Sequence, residues 1–259
     1  MQRPGQPGQA ADSIISFRVW HNDYWLKTVL AMQEIAQNLL LVRRQIAQWE
    51  IQYQRSPGSV SLIAVSKTHG AENLRQAYQA GQRAFGESYL QEALQKMQAL
   101  TDCDIQWHFI GPLQSNKTRP IAQAFDWVHS VDRLKIAQRL HEQRPSDLGP
   151  LNICIQVNIS GESSKSGVLP GQLPALLEQL VPLHQLRIRG IMAIPAANDK
   201  LAAQRQVFRR LNRLFEEAKA HNPGLALDTL SMGMSSDMQA AIAEGATMVR
   251  VGTAIFGER

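Results

Sequence analysis

Cysteine is scarce in this chain, with two in 259 residues and no CxxC pair. That excludes a disulfide framework and sets the expectation of a reduced, cytoplasmic compartment. Cys154 falls in the apolar run LNICIQVNI and reads as core, whereas Cys103 sits in the polar stretch TDCD. The seven histidines never recur at a paired ligand spacing, so no metal site is expected. Long uninterrupted apolar runs are missing as well. The segment SIISFRVWHNDYWLKTVLAM is broken by Arg18, His21, Asp23 and Lys27, which fits neither a signal peptide nor a membrane span. Blocks of like charge are also absent: charged residues make up 19%, and the net charge of +5 is dispersed. Arg209, Arg210 and Arg213 stand near Glu216 and Glu217, the pattern of a solvated helix face rather than of a nucleic-acid stripe. The mild basic excess accommodates a phosphorylated ligand without requiring one.

What the chain does have is a hydrophobic share of 44%, enough at this length for the core of one barrel-sized domain. Residues 1–12, MQRPGQPGQAAD, are rich in Gly, Pro and Gln and are expected to be disordered. A clean helical pattern opens at Met32, with Ile35, Leu39, Val42, Ile46 and Ile51 near helical spacing over 32–54. Residues 1–31 are therefore expected to be a poorly ordered extension or an over-long reading frame, and residues 32–259 the folded unit.

Eight short apolar runs follow: 61–66, 83–86, 105–110, 126–130, 151–159, 186–194, 227–232 and 247–252. Amphipathic helical patterns separate them at 71–79, 88–99, 132–144, 171–181, 199–221 and 235–243, with a shorter one at 116–123. Strict β/α alternation of this count predicts a parallel sheet closed into a (β/α)8 barrel, the alternative being an open doubly wound sheet. Closure is favoured because Thr253–Arg259 leave no room for a helix after the eighth run, so helix 32–54 would cover it. No second β domain is expected.

Active sites of such barrels lie at the C-terminal ends of the strands. Lys67 falls there, at the end of LIAVSKT, and a lysine so placed can form a Schiff base with an aldehyde; the ordinary structural reading is a lysine reaching solvent. Ser235 and Ser236 follow Gly233 and are expected to open the helix SSDMQAAIAEG, where N–H groups and hydroxyls suit a phosphate as well as they suit simple capping. Gly252 and Thr253 end the run MVRVG, where a missing side chain lets a ligand approach the backbone. Arg250 puts a permanent charge in that apolar run, either aimed at a ligand or held in a structural ion pair. His108, in WHFIGPLQSNK, alternates with apolar neighbours and reads as a core histidine. The loop NISGESSKSG, with Lys165, is either a docking loop or ordinary surface.

The motifs AVSKT, FGES, WHFIGPLQSNK, NISGESSKSG, GIMAIP and SMGMSSDMQAAIAEGATMVRVGTAIFG, in this order, resemble the YggS/PROSC family of pyridoxal phosphate homeostasis proteins. The resemblance spans residues 32–259 and implies a single barrel like the N-terminal domain of alanine racemase, carrying pyridoxal 5'-phosphate (PLP). It assigns Lys67 as the Schiff-base lysine and Ser235, Gly252 and Thr253, with Ser236 beside them, to the phosphate. Arg250 is assigned to the pyridine nitrogen, with Met192 and Pro195 near the cofactor and Lys165 as a family lysine of its loop. The sequence departs from the family pattern at His69 and Gly70, where a lysine and a proline are usual, and at Ser88, where FGES replaces FGEN.

Three functions compete at this point: a PLP-binding homeostasis protein that buffers or delivers the cofactor, a PLP-dependent racemase or decarboxylase, and a cofactor-free aldolase. A two-base racemase needs an acid/base group on each face of the substrate carbon, and the sequence shows no partner for Lys67. The expectation is a monomeric cytoplasmic PLP carrier with no catalytic residues and at most weak side activity. Its partners are expected to be PLP and PLP-dependent apoenzymes, with no nucleic acid or membrane.

Overall fold

The computed structural model describes residues 34–162 and 165–258. The expectation for residues 1–31 lies outside them. Eight strands, β1 (Ser61–Val65), β2 (Ala84–Glu87), β3 (Gln106–Phe109), β4 (Trp127–Val131), β5 (Leu151–Gln156), β6 (Leu186–Met192), β7 (Thr229–Ser231) and β8 (Met248–Val251), close into a barrel in sequence order. Every neighbouring pair is parallel. The seam joins the first strand to the last, pairing Leu62 with Val249, Ile63 with Arg250 and Ala64 with Val251.

Helices form the outer ring: α1 (34–52), α2 (Ala71–Gln79), α3 (Leu90–Ala99), α4 (Thr118–Ala124), α5 (Leu134–Gln143), α6 (Leu173–Leu180), α7 (Leu201–His221), α8 (Met238–Ala243) and α9 (Thr253–Phe256). On α7, Phe208, Leu211, Phe215 and Ala218 recur every three to four residues and are the buried set, which fixes the face turned to the sheet. Strands covered on both sides are mostly apolar, as in β5, where Leu151, Ile153, Cys154 and Ile155 are buried and Asn152 and Gln156 are half-buried. No helix among the described residues is long and apolar enough to cross a membrane.

Three local expectations change. Ile51 is 73% exposed, because five residues beyond Ile46 lies off the helical stripe. Glu50 takes the inward position instead, accepting hydrogen bonds from the N–H groups of Gly58 and Val60 and from the Ser59 hydroxyl. The chain after β8 does form a helix, the single turn α9, and α1 docks on it through the Asn38 side chain, which donates to the Ile255 carbonyl. Ser235 and Ser236 do not open α8. They stand in the turn before it, which Asp237 closes by accepting from the Met234 N–H at 2.6 Å.

Candidate functional site

At the C-terminal mouth of the barrel lies a cavity of about 410 Å³ lined by Lys67, His69, Ser88, Ser235, Ser236, Arg250, Gly252 and Thr253, with Val65, Ile110, Ile194 and Met234 among its apolar walls. Seven of the ten residues named for the site from the sequence thus share one cavity. Met192, Lys165 and Pro195 do not line it. Met192 ends β6 with its side chain fully buried against Trp127 and Cys154, because strand alternation turns it into the barrel. Ile194, two residues on, reaches the cavity in its place. Lys165 is exposed in the loop after β5, where its carbonyl accepts from the Asn158 side chain. Pro195 is half-buried and outside the lining.

Arg250 projects from β8 and is almost wholly buried. Its guanidinium donates to the Ser231 hydroxyl at 2.6 Å and to the Ala193 carbonyl at 2.9 Å. No carboxylate forms an ion pair with it among the described residues, although Asp237 acts on it from the neighbouring turn. Burial draws its pKa down to about 10, so it remains a cation at neutral pH. A buried cation without a counter-carboxylate, set in the wall of a cavity, is a donor looking for an acceptor.

Across the seam, Gly252 runs so close to β1 that a Cβ there would meet the Val65 carbonyl at 3.0 Å. The chain enters α9 at that point; Ile255 and Phe256 donate to the Gly252 carbonyl, which leaves the N–H groups of Thr253 and Ala254 without an acceptor within the turn. With the hydroxyls of Ser235, Ser236 and Thr253 they make a neutral donor set suited to an anion.

Lys67 stands two residues past β1, in a turn held by the His69 N–H donating to the Ser66 carbonyl. The adjoining Thr68 has a φ of +69°, a left-handed conformation that costs a β-branched residue roughly 1–3 kcal/mol. A buried charge cluster under the turn holds it. Lys96 of α3 donates to the Ser66 carbonyl, to Glu87 at 2.7 Å and to Glu92. Glu87 also accepts from the Ser66 hydroxyl, and Glu92 accepts from the Thr68 N–H, both at 2.6 Å. Burial raises the Glu87 pKa, against the pull of Lys96. The backbone on either side of Lys67 is therefore tied to one ammonium group. Sequence reading missed this cluster; Lys96 sits at i+4 from Glu92, which reads as an ordinary exposed helix pair.

The alanine racemase N-terminal domain family model matches residues 42–259. The pyridoxal phosphate homeostasis protein of Pseudomonas aeruginosa is 57% identical over 228 residues, covering 88% of this chain and 97% of that protein. The chain belongs to the pyridoxal phosphate homeostasis protein family. Its Escherichia coli member is 50% identical over 231 residues, covering 88% of this chain and 98% of that protein. Among solved structures, PipY of Synechococcus elongatus with PLP bound superposes with a TM-score of 0.77 at 42% identity, covering 86% of this chain and all of that one. Alanine racemase from Corynebacterium glutamicum shares the fold of this homeostasis family, at a TM-score of 0.64 and 18% identity, and covers 88% of this chain and 61% of that one.

Proposed function

We propose that this chain holds PLP in the mouth cavity, attached through Lys67, and serves PLP homeostasis as a reversible carrier rather than as an efficient enzyme. The observation that carries this reading is the meeting, in one cavity, of a lysine, an arginine cation that forms no ion pair with a carboxylate among the described residues, and the hydroxyls of Ser235, Ser236 and Thr253. That set fits an aromatic phosphate bearing an aldehyde. Lys67 provides the amine; the hydroxyls of Ser235, Ser236 and Thr253 and the backbone at Gly252 receive the phosphate; Arg250 meets the ring nitrogen. Ser88 has room to contribute a hydroxyl. Met192 and Lys165 are left without a contact role.

When bound, PLP supplies an aldehyde that captures amines and a ring that withdraws electrons. Arg250, which keeps its proton near neutral pH, can donate a hydrogen bond to the ring nitrogen but does not protonate it. The ring is then a weak electron sink, which favours holding the cofactor over carbanion chemistry. His69 is the remaining acid/base candidate in the lining, and it comes from the same turn as Lys67. Two groups from one turn do not supply opposed acid and base, which further supports a carrier. Delivery to PLP-dependent apoenzymes, a monomeric state and a cytoplasmic setting complete the reading.

The test is the absorption spectrum of the purified chain before and after borohydride, with mapping of the modified peptide. The expected result is a visible band lost on reduction, a pyridoxyl adduct on Lys67, and no covalent adduct in a folded Lys67→Ala variant. An adduct on Lys165 instead would overturn the assignment of Lys67. A chain that stays colourless with added PLP would overturn the cofactor reading, and rapid amino-acid turnover would overturn the carrier reading.

A further inference from the structure

A file of polar side chains runs from the exposed Gln106 through the barrel interior and ends on Arg250, with every member after Gln106 buried. Gln106 and His108 come from β3, His129 from β4, Ser231 from β7 and Arg250 from β8. The links are His108 Nε2 to Gln106 Oε1 at 3.0 Å, His108 Nδ1 to His129 Nε2 at 2.9 Å, His129 Nδ1 to Ser231 Oγ at 3.0 Å and Arg250 to Ser231 Oγ at 2.6 Å. His108, His129 and Ser231 are fully inaccessible, and Trp127 stacks on His108 with ring centroids 5.5 Å apart.

With neutral imidazoles, only two proton arrangements satisfy every link. In one, Ser231 donates to His129 Nδ1, His129 Nε2–H to His108 Nδ1, and His108 Nε2–H to Gln106 Oε1. In the other, each of these links is reversed and the Gln106 amide is turned over. Arg250 decides between them. A guanidinium only donates, so Ser231 must turn a lone pair to it, and the cation favours lone pairs rather than N–H groups on its side of the file. The first arrangement aligns the whole file as a dipole with its negative end toward Arg250.

We infer that Ser231, His129, His108 and Gln106 form a one-way hydrogen-bonded array that holds Arg250 as a fixed cation facing the cavity. They are positioning residues for the arginine, and this inference rests on the reading of the cavity as a cofactor site. The array replaces the carboxylate that a buried arginine ordinarily needs. A carboxylate at this depth would neutralise the guanidinium and compete with the ligand for its donors. A neutral file stabilises the charge and leaves it unspent. The charged or titratable groups acting on Arg250 besides the file are Asp237 and Cys154, and burial keeps the Cys154 thiol protonated, with a pKa pushed up to about 12.

The test begins with nitrogen-15 NMR of the histidine rings in the full chain without cofactor, assigned with His108→Gln and His129→Gln variants. Both rings are expected in the Nε2–H form with no titration between pH 5 and 8. Titration of either ring near its ordinary value, or an Nδ1–H signal, would overturn the array. The second arm is PLP binding. Ser231→Ala and His129→Leu are expected to weaken PLP binding about tenfold, or about 1.4 kcal/mol, and to shift the pH midpoint of the visible band. His129→Gln, which keeps an acceptor and a donor, is expected to recover part of both. Lower melting temperatures with unchanged affinity and midpoint would mean a purely structural file, and would overturn the inference. Should the unmodified chain take up no PLP, the cofactor reading falls, while the NMR of the cofactor-free chain still decides the array.

Discussion

At Arg250 the barrel buries a full charge beside a hydroxyl and a carbonyl, so the residue has two separable contributions. Arg250→Ala leaves the Ala193 carbonyl and the Ser231 hydroxyl without their donor, which is expected to lower apo stability by about 1–3 kcal/mol. PLP affinity should fall by more than stability does, as compared by denaturant melts and PLP titration of the same preparations. The histidines give a pH prediction. Burial pushes His108 down to about 3 and His129 well below its ordinary value, so the unfolded chain binds protons that the folded chain refuses. Stability is then complete above about pH 6.5 and falls on acidification, by about 1.4 kcal/mol per pH unit for each ring. Denaturation midpoints measured from pH 7.5 to 4.5 should trace that slope, and His129→Gln should remove one of the two contributions. Lys67 was legible in the sequence because it stands where an apolar run ends, at the mouth of a barrel, and Arg250 because it is a charge inside such a run. His129 and Ser231 were not, because their roles arise from a contact between strands 102 residues apart in the chain, and Glu87 was not, because its partner Lys96 reads as part of an ordinary helix pair.

Elements place the site through their ends. The turn after β1 depends on α3, whose Lys96 ties down both flanks of Lys67. Lys96→Met would strand the buried Glu87 carboxylate, and the expected loss is roughly 3–5 kcal/mol by chemical denaturation. PLP attachment in the same variant should slow, because the Ser66 carbonyl loses its donor and Glu92, which holds the Thr68 N–H, loses the ammonium that anchors it. Another dependence sits between β6 and β7, where a Cβ on Gly190 would run into the Thr229 carbonyl. Gly190→Ala is expected to part these strands at a cost of about 3 kcal/mol, read from the melting curve. Periodicity revealed the eight strands and most of the helices in order, since each buries one face against a closed sheet. It misplaced the start of α8 and omitted α9. Turn chemistry decides those boundaries, and an Asp237 closing on Met234 looks in sequence like any first-turn acid.

For the molecule as a whole, ligand binding and folding are one equilibrium. PLP at one hundred times its dissociation constant should raise unfolding stability by about 2.7 kcal/mol. Lys67→Ala, which retains the phosphate donors and Arg250, should show a smaller rise at the same PLP concentration; a thermal-shift series against PLP measures both. The barrel seam has one more consequence, and it concerns time. Lys67 leaves the ribosome early, but Arg250 and Gly252, which share its cavity, belong to the eighth strand and the turn that follows it. At cellular elongation rates that delay is on the order of ten seconds or more. A nascent chain therefore carries a reactive amine with no pocket around it, and the grip on the cofactor comes into being only when β8 slots in beside β1.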